Sequence, residues 1–338
     1  MSSSPPATTS SARTLEAGIR RFVTQVNAAY AEIPGFGTLS YPEARRAAER
    51  VRAPWRAGGP RMAQQRELEV ASAAGTIRIR VYDPGPPGLK PGLVYLHGGG
   101  WTLFSLDTHD RVMREYAARA GISVVGVDYP LAPEVKFPVA LHQTVAVVRW
   151  LGAHGPDVGV DPAHLAVGGD SAGANLAIAA ALLLRDAGEG QRLAALLLNY
   201  GAFDTACTSA SEAAFGGAGF MLTPAEMRSF WSNYLRSPAD AEDPLACPGR
   251  ARLADLPSVF LTIPECDILA EQSLGLVQRL ARAGVPARSV CYPGTTHSFL
   301  EAVSVSPIAD RAFADGSAWL RSVLAGARPE TGSSVAEI

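Results

Sequence analysis

Between Leu93 and Tyr292 short apolar runs recur, each bounded by glycine, proline or polar turn residues: Leu93–Leu96, Ser123–Val127, Leu165–Val167, Ala194–Leu198, Val259–Ile263 and Arg288–Tyr292. They are too short for core helices. Without polar alternation they predict strands buried on both faces of a parallel sheet, with the helical patterns between them as crossovers. Upstream, Leu68-Glu69-Val70 and Ile77-Arg78-Ile79-Arg80-Val81 alternate apolar and polar, which predicts a half-buried antiparallel hairpin at the sheet edge. From Leu15 to Arg52 the pattern is helical, with Ile19, Phe22, Val23 and Val26 at three- and four-residue spacing, and the Pro/Gly-rich Ala53 to Pro60 closes it.

The rhythm breaks between Gly201 and Pro257, where a helical segment around Pro224–Leu235 carries Phe230, Trp231 and Tyr234. This break predicts an insertion that forms a cap together with the N-terminal helices. The expected division is a helical cap element at 14–60, a catalytic domain at 61–204 and 250–326, a cap insertion at 205–249, and disordered tails at 1–13 and 327–338. No internal repeat interrupts this plan.

Composition narrows the function classes. Apolar residues make up 47% and charged residues 18% of the 338, so a large core is available and global disorder is excluded. A net charge of -2 gives no field to attract nucleic acid or an anionic membrane and favours small neutral partners. The Ser/Thr/Pro-rich start lacks a basic segment followed by an apolar run, and no apolar stretch reaches the length of a spanning helix. Cys207, Cys247, Cys266 and Cys291 are scattered without paired spacing, which argues against a zinc site and for reduced thiols in a cytoplasmic protein.

Chemistry enters at Gly169-Asp170-Ser171-Ala172-Gly173, which matches G-x-S-x-G between an apolar strand and a small-residue helix, Ala172 to Leu184. A serine on that sharp corner exposes its Oγ, and the helix N-terminus presents free N–H groups to developing negative charge. A phosphate-binding turn is the competing reading. The chain lacks G-x-x-x-x-G-K-[ST], and Asp170 breaks G-x-G-x-x-G at this turn. Upstream, His97-Gly98-Gly99-Gly100-Trp101 follows a buried strand and has the form that supplies an oxyanion-hole donor, with the Ala172 N–H as the other.

Of the six histidines, only His297 follows Ser171, and the order nucleophile, acid, base selects it. His97 is assigned to ordering its glycine loop. Among the carboxylates between Ser171 and His297, Asp267 lies just past the strand Val259–Ile263, at the sheet edge where sites of open α/β folds form. Glu265 and Glu271 are its nearest rivals.

These residues carry a resemblance. His97-Gly98-Gly99-Gly100-Trp101, Leu106-Asp107-Thr108-His109-Asp110, Asp128 to Glu134, Gly169 to Asn175, Glu265-Cys266-Asp267 and Tyr292 to His297 occur in the order found in the bacterial hormone-sensitive-lipase-like (family IV) esterases. Within that family the chain most closely resembles the acetyl esterases. The resemblance implies an α/β-hydrolase fold with a helical cap, the triad Ser171, Asp267 and His297, and an oxyanion hole from Gly99, Gly100 and Ala172. It further implies cleavage of short acyl esters, acetyl to butyryl, with no cofactor and no metal, and it leaves a homodimer open by analogy alone. Three positions depart from the family pattern: Ser298 after the histidine, Phe104 after the glycine loop, and Pro130 in the Asp128–Glu134 segment. Trp101, Phe104, Phe215, Phe220 and Trp231 are candidates to line the substrate pocket, against an alternative role as cap core. A non-catalytic binding protein on the same fold, or an amide, carbamate or lactone hydrolase with the same triad, are the alternatives.

Overall fold

The computed structural model describes residues 14–73 and 75–326, so the tails expected at 1–13 and 327–338 lie outside the described residues. Among the described residues the strands are β1 (Gln64–Ser72), β2 (Gly75–Asp83), β3 (Lys90–Leu96), β4 (Ser123–Asp128), β5 (Val160–Asp170), β6 (Ala195–Asn199), β7 (Ser258–Cys266) and β8 (Ala287–Thr296). The helices are α1 (Ala17–Ala31), α2 (Tyr41–Arg56), α3 (Asp110–Ala120), α4 (Val139–His154), α5 (Ala172–Asp186), α6 (Ser209–Phe215), α7 (Pro224–Tyr234), α8 (Ala270–Arg282) and α9 (Pro307–Leu324). All eight strands form one sheet in the order β1-β2-β4-β3-β5-β6-β7-β8. The hairpin β1–β2 and the β2–β4 pair are antiparallel and the remaining pairs are parallel, as the alternating and continuous apolar runs predicted.

Side chains on successive strand residues face opposite layers. Val94, Leu96, Val167, Leu198 and Leu261 pack against α4, α5 and α8, whereas Leu93, Tyr95, Ala166, Leu197 and Phe260 pack against α1, α2, α3 and α9. Covering both faces is why these strands carry no polar alternation. Helix α5 is small and apolar all round, with Ala174, Ala177, Ala179 and Ala180 fully buried, as required of a helix enclosed by the core.

The N-terminal pattern resolves into two helices, α1 and α2. Pro34 follows α1, and Gly35 sits at φ 63°, a left-handed conformation that glycine adopts without strain. Helix α2 restarts at a capping box, with the Ser40 N–H donating to Glu43 Oε2 over 3.0 Å. Both helices contribute to the core: Phe22, Val26, Val51 and Trp55 belong to the apolar layer over the sheet. They also meet the insertion, where Asn27 Nδ2 donates to the Ala218 carbonyl and Tyr41 Oη to Asn233 Oδ1, both at 2.8 Å. Lys136 Nζ closes the far end of α7, donating to the carbonyls of Ser232, Asn233 and Leu235 at 3.0, 2.6 and 2.8 Å. No helix among the described residues is long and apolar enough to cross a membrane.

The ends of the insertion are tied to α5 by one side chain. Asn175 Nδ2 donates to the carbonyls of Ala202 and Ala246, 2.8 and 2.9 Å away in a fully buried setting. Asn175→Ala should lower the unfolding free energy by about 2–4 kcal/mol, because two buried carbonyls lose their donor. Urea titration measures this; an unchanged midpoint would contradict it.

Candidate active site

The carboxyl ends of β3, β5, β7 and β8 converge on one cavity. Strand β5 ends at Asp170 and α5 begins at Ala172, so Ser171 alone makes the turn, at φ 54° and ψ −119°. That conformation is strained for a residue with a Cβ. It persists because the corner is held on both sides: the Ser171 N–H donates to the Asn199 carbonyl on β6 over 2.9 Å, and its carbonyl accepts from Asn175 at the start of α5. A Cβ at Gly169 or Gly173 would run into the Leu96 carbonyl at the end of β3. Both glycines of the motif are therefore required by close approach of backbone.

His297 follows β8 and Asp267 follows β7. His297 Nε2 lies 2.8 Å from Ser171 Oγ, and His297 Nδ1 lies 2.7 Å from Asp267 Oδ2, with all three residues buried. A carboxylate only accepts, so Nδ1 carries the proton, Nε2 accepts, and the Ser171 hydroxyl donates to it. The Leu269 N–H donates to the other carboxylate oxygen of Asp267 over 3.0 Å and fixes its orientation. The rivals lie elsewhere: Glu265 accepts from the Gly294 N–H at 2.8 Å, and Glu271 opens α8 on its exposed side. The Tyr200 ring packs edge-on against the imidazole, 5.1 Å between centroids.

Gly99 and Gly100 follow β3 at φ 110° and 60° and line the same cavity as Ser171 and His297. Their carbonyls are used within the loop, Gly99 by the Thr102 and Leu103 N–H groups and Gly100 by Thr102 Oγ1. Their own N–H groups have no partner among the described residues. Ala172, the first residue of α5, adds an N–H without a helical acceptor. A Cβ at Gly99 would meet the Leu103 carbonyl, and one at Gly100 would enter the Phe230 ring of α7. The insertion thus sits directly on the glycine loop.

Sequence reasoning overlooked what holds this loop in place. Asp170 Oδ1 accepts from the Gly98 N–H at 3.1 Å and from Tyr95 Oη at 2.9 Å, and Oδ2 lies 3.2 Å from His109 Nε2. Burial alone would raise the Asp170 carboxyl, but the charge and hydrogen bond of His109 outweigh it and leave it below the usual range. Burial likewise opposes charge on His109, and Asp170 lifts its pKa above the ordinary value. His97 has the structural place expected of it. Its ring stacks on Tyr129, 4.4 Å between centroids, and Tyr129 Oη donates to its carbonyl over 2.8 Å. Burial and the nearby His109 push its pKa down to about 4, so it is neutral at pH 7.

Of the pocket candidates, Phe104 and Phe220 line the cavity, whose volume is about 510 Å³. Trp101, Trp231 and Phe215 do not. Trp101, at φ 56°, turns its ring away from the glycine loop and stacks on Tyr234 at 4.2 Å, with Trp231 packed 4.5 Å away. These two tryptophans join the insertion to the core. Phe215 stands one layer back, its ring edge-on to Phe220 at 5.4 Å. Residues between the motifs complete the lining, among them Leu103, Met227 and Phe230, with Arg52 from α2 and Ser298 at φ 61° beside the imidazole.

Known proteins resemble this chain. A profile of the α/β hydrolase fold family matches residues 93–301. An acetyl esterase from Salmonella choleraesuis is 39% identical over 264 residues, covering 78% of this chain and 81% of its own length. Among solved structures, a hyperthermophilic esterase from the archaeon Pyrobaculum calidifontis superposes with a TM-score of 0.86 at 31% identity, covering 91% of this chain and 98% of its own. A fungal esterase from Rhizomucor miehei gives a TM-score of 0.86 at 27% identity, covering 93% and 98%.

Asp170→Asn keeps the volume at the hub of the glycine loop but presents a donor where donors already converge. Because loss of a single oxyanion donor costs about 10²–10³ in turnover, displacing the loop should lower kcat about 10- to 100-fold, with a smaller change in KM. Steady-state kinetics on p-nitrophenyl acetate checks this, and a wild-type kcat would contradict it.

Proposed function

The chain belongs to the α/β-hydrolase family, in its hormone-sensitive-lipase-like branch, and is a carboxylic-ester hydrolase; from that premise we propose that it cleaves short-chain acyl esters through an acyl-enzyme on Ser171. The observation that carries the reading is the continuous hydrogen-bonded line from Asp267 through His297 to Ser171, at 2.7 and 2.8 Å, opening into the cavity beside Gly99 and Gly100.

In the first half-reaction His297 Nε2 takes the hydroxyl proton as Ser171 Oγ attacks the ester carbonyl, and the carbonyl oxygen becomes an oxyanion facing the N–H groups of Gly99, Gly100 and Ala172. Asp267 holds the imidazole in the Nδ1–H tautomer and stabilises the imidazolium without taking its proton. The imidazolium then protonates the departing alkoxide. In the second half-reaction the same nitrogen removes a proton from water, which attacks the acyl-enzyme, and returning that proton to Oγ releases the acid.

Two facts support a short acyl group. The relative from Salmonella choleraesuis is an acetyl esterase, and the rings of Phe104 and Phe230 stand against the glycine loop, on the Gly99 and Gly100 sides respectively.

Ser171→Ala should reduce turnover of p-nitrophenyl acetate to the background rate while leaving the melting temperature within a few degrees, since the change removes one hydroxyl. Substantial residual turnover would refute the assignment of the nucleophile. Across p-nitrophenyl esters from acetate to decanoate, kcat/KM should be highest between acetate and butyrate. A maximum at octanoate or longer would refute the short-chain reading.

A further inference from the structure

One wall of the cavity carries a charge that the hydrolytic mechanism does not use. Arg52 lies on the inward face of α2 with Ala48, Val51 and Trp55, and it lines the cavity that holds Ser171 and His297. Its side chain is 5% exposed, and its Nη1 donates to Glu301 Oε1 over 3.1 Å. Glu301, four residues past His297, is equally enclosed, so the pair joins the N-terminal helices to the segment bearing the base. The guanidinium lies over the Phe104 ring at 4.9 Å and the Phe22 ring at 5.6 Å, close enough for cation–π attraction to both. Tyr30 stands close enough to it for their charges to interact.

A guanidinium has five N–H donors in a rigid fork, and Glu301 accepts from Nη1 alone. Arg52 Nε and Glu301 Oε2 are buried with no partner among the described residues. A role confined to stability explains this poorly. Two buried ions with unmatched hydrogen-bonding groups contribute less than apolar side chains of the same volume. The leftover donors suit a ligand, because a site built to hydrogen-bond an oxygen discriminates strongly against a substrate that lacks it.

On the premise that the chain hydrolyses esters at Ser171, we propose that Arg52 is a specificity-determining residue that selects esters carrying a neutral oxygen acceptor, a carbonyl, ether or hydroxyl, away from the scissile bond. The acceptor is neutral rather than a carboxylate because Glu301 already neutralises Arg52 and Glu226 of α7 adds a further acid to the same cavity wall. Phe104 works with Arg52: its ring forms the platform for the guanidinium where the family pattern has a glycine.

The test uses substrates differing by one oxygen. Pentyl acetate against 2-ethoxyethyl acetate puts the oxygen in the alcohol, and p-nitrophenyl pentanoate against p-nitrophenyl 4-oxopentanoate puts it in the acyl chain. The ratio of kcat/KM within each pair, corrected for alkaline hydrolysis rates, is read for wild type, Arg52→Met, and Arg52→Met with Glu301→Gln, which relieves the carboxylate left unpaired. Taking the ratio cancels any general loss of activity. In at least one pair the wild type should favour the oxygenated ester about tenfold or more, and both variants should lose that preference. Mono-p-nitrophenyl succinate should be a poorer substrate than the 4-oxopentanoate. Absence of preference in the wild type, or its survival in the variants, overturns the proposal, and a preference for the succinate overturns the neutral class. A folded Arg52→Met that turns over no ester places Arg52 in the chemistry and overturns it as well. If the variants do not fold, the wild-type ratios alone decide. A wild type that hydrolyses no ester defeats the hydrolase reading instead.

Discussion

A single residue, Ser171, has to turn the chain from a buried strand into a buried helix, and most of the surrounding architecture follows from holding that corner. At φ 54° its backbone is strained, so the fold supplies restraints from every side: a hydrogen bond to β6, one from Asn175 on α5, and the Leu96 carbonyl of β3 pressed against both flanking glycines. Helix α5 is consequently buried and alanine-rich, because only small side chains allow it to lie so close to the sheet. The same packing carries Ser171 to the carboxyl edge of the sheet, where β7 and β8 end and deliver Asp267 and His297.

Buried charge follows from the same crowding. Asp170 stands immediately before the corner and faces inward, where a carboxylate is tolerated only with several donors. Gly98, Tyr95 and His109 supply them, and the result couples the glycine loop to the turn at Ser171. The position that the G-x-S-x-G pattern leaves free thus ties the glycine loop to the turn at Ser171. Arg52 and Glu301 form a second buried pair, joining the N-terminal helices to the segment that bears His297.

Much of this was legible in the sequence because the informative signals were local. Continuous apolar runs fixed the parallel strands, alternation fixed the β1–β2 hairpin, and chain order with one downstream histidine selected His297. Asp267 was separable from Glu265 by position at a strand end, two residues from its rival. The rest depended on contacts between distant segments or on backbone direction. Nothing local shows that Arg52 meets Glu301, 249 residues away, or that Asp170 reaches Tyr95 and His109. Trp101 and Trp231 sit at positions that suit a pocket, but the left-handed backbone at Trp101 swings its ring onto Tyr234 and into the core.

Chemistry at Ser171 is most directly tested by catching its covalent intermediate. The enzyme, mixed with p-nitrophenyl acetate and acid-quenched within the first turnovers, would be digested and mapped by mass spectrometry. The account predicts an acetyl group on the peptide containing Ser171, at Ser171 itself, that disappears when substrate is exhausted. Steady hydrolysis with no acyl group on Ser171, or with the label on another side chain, would contradict it.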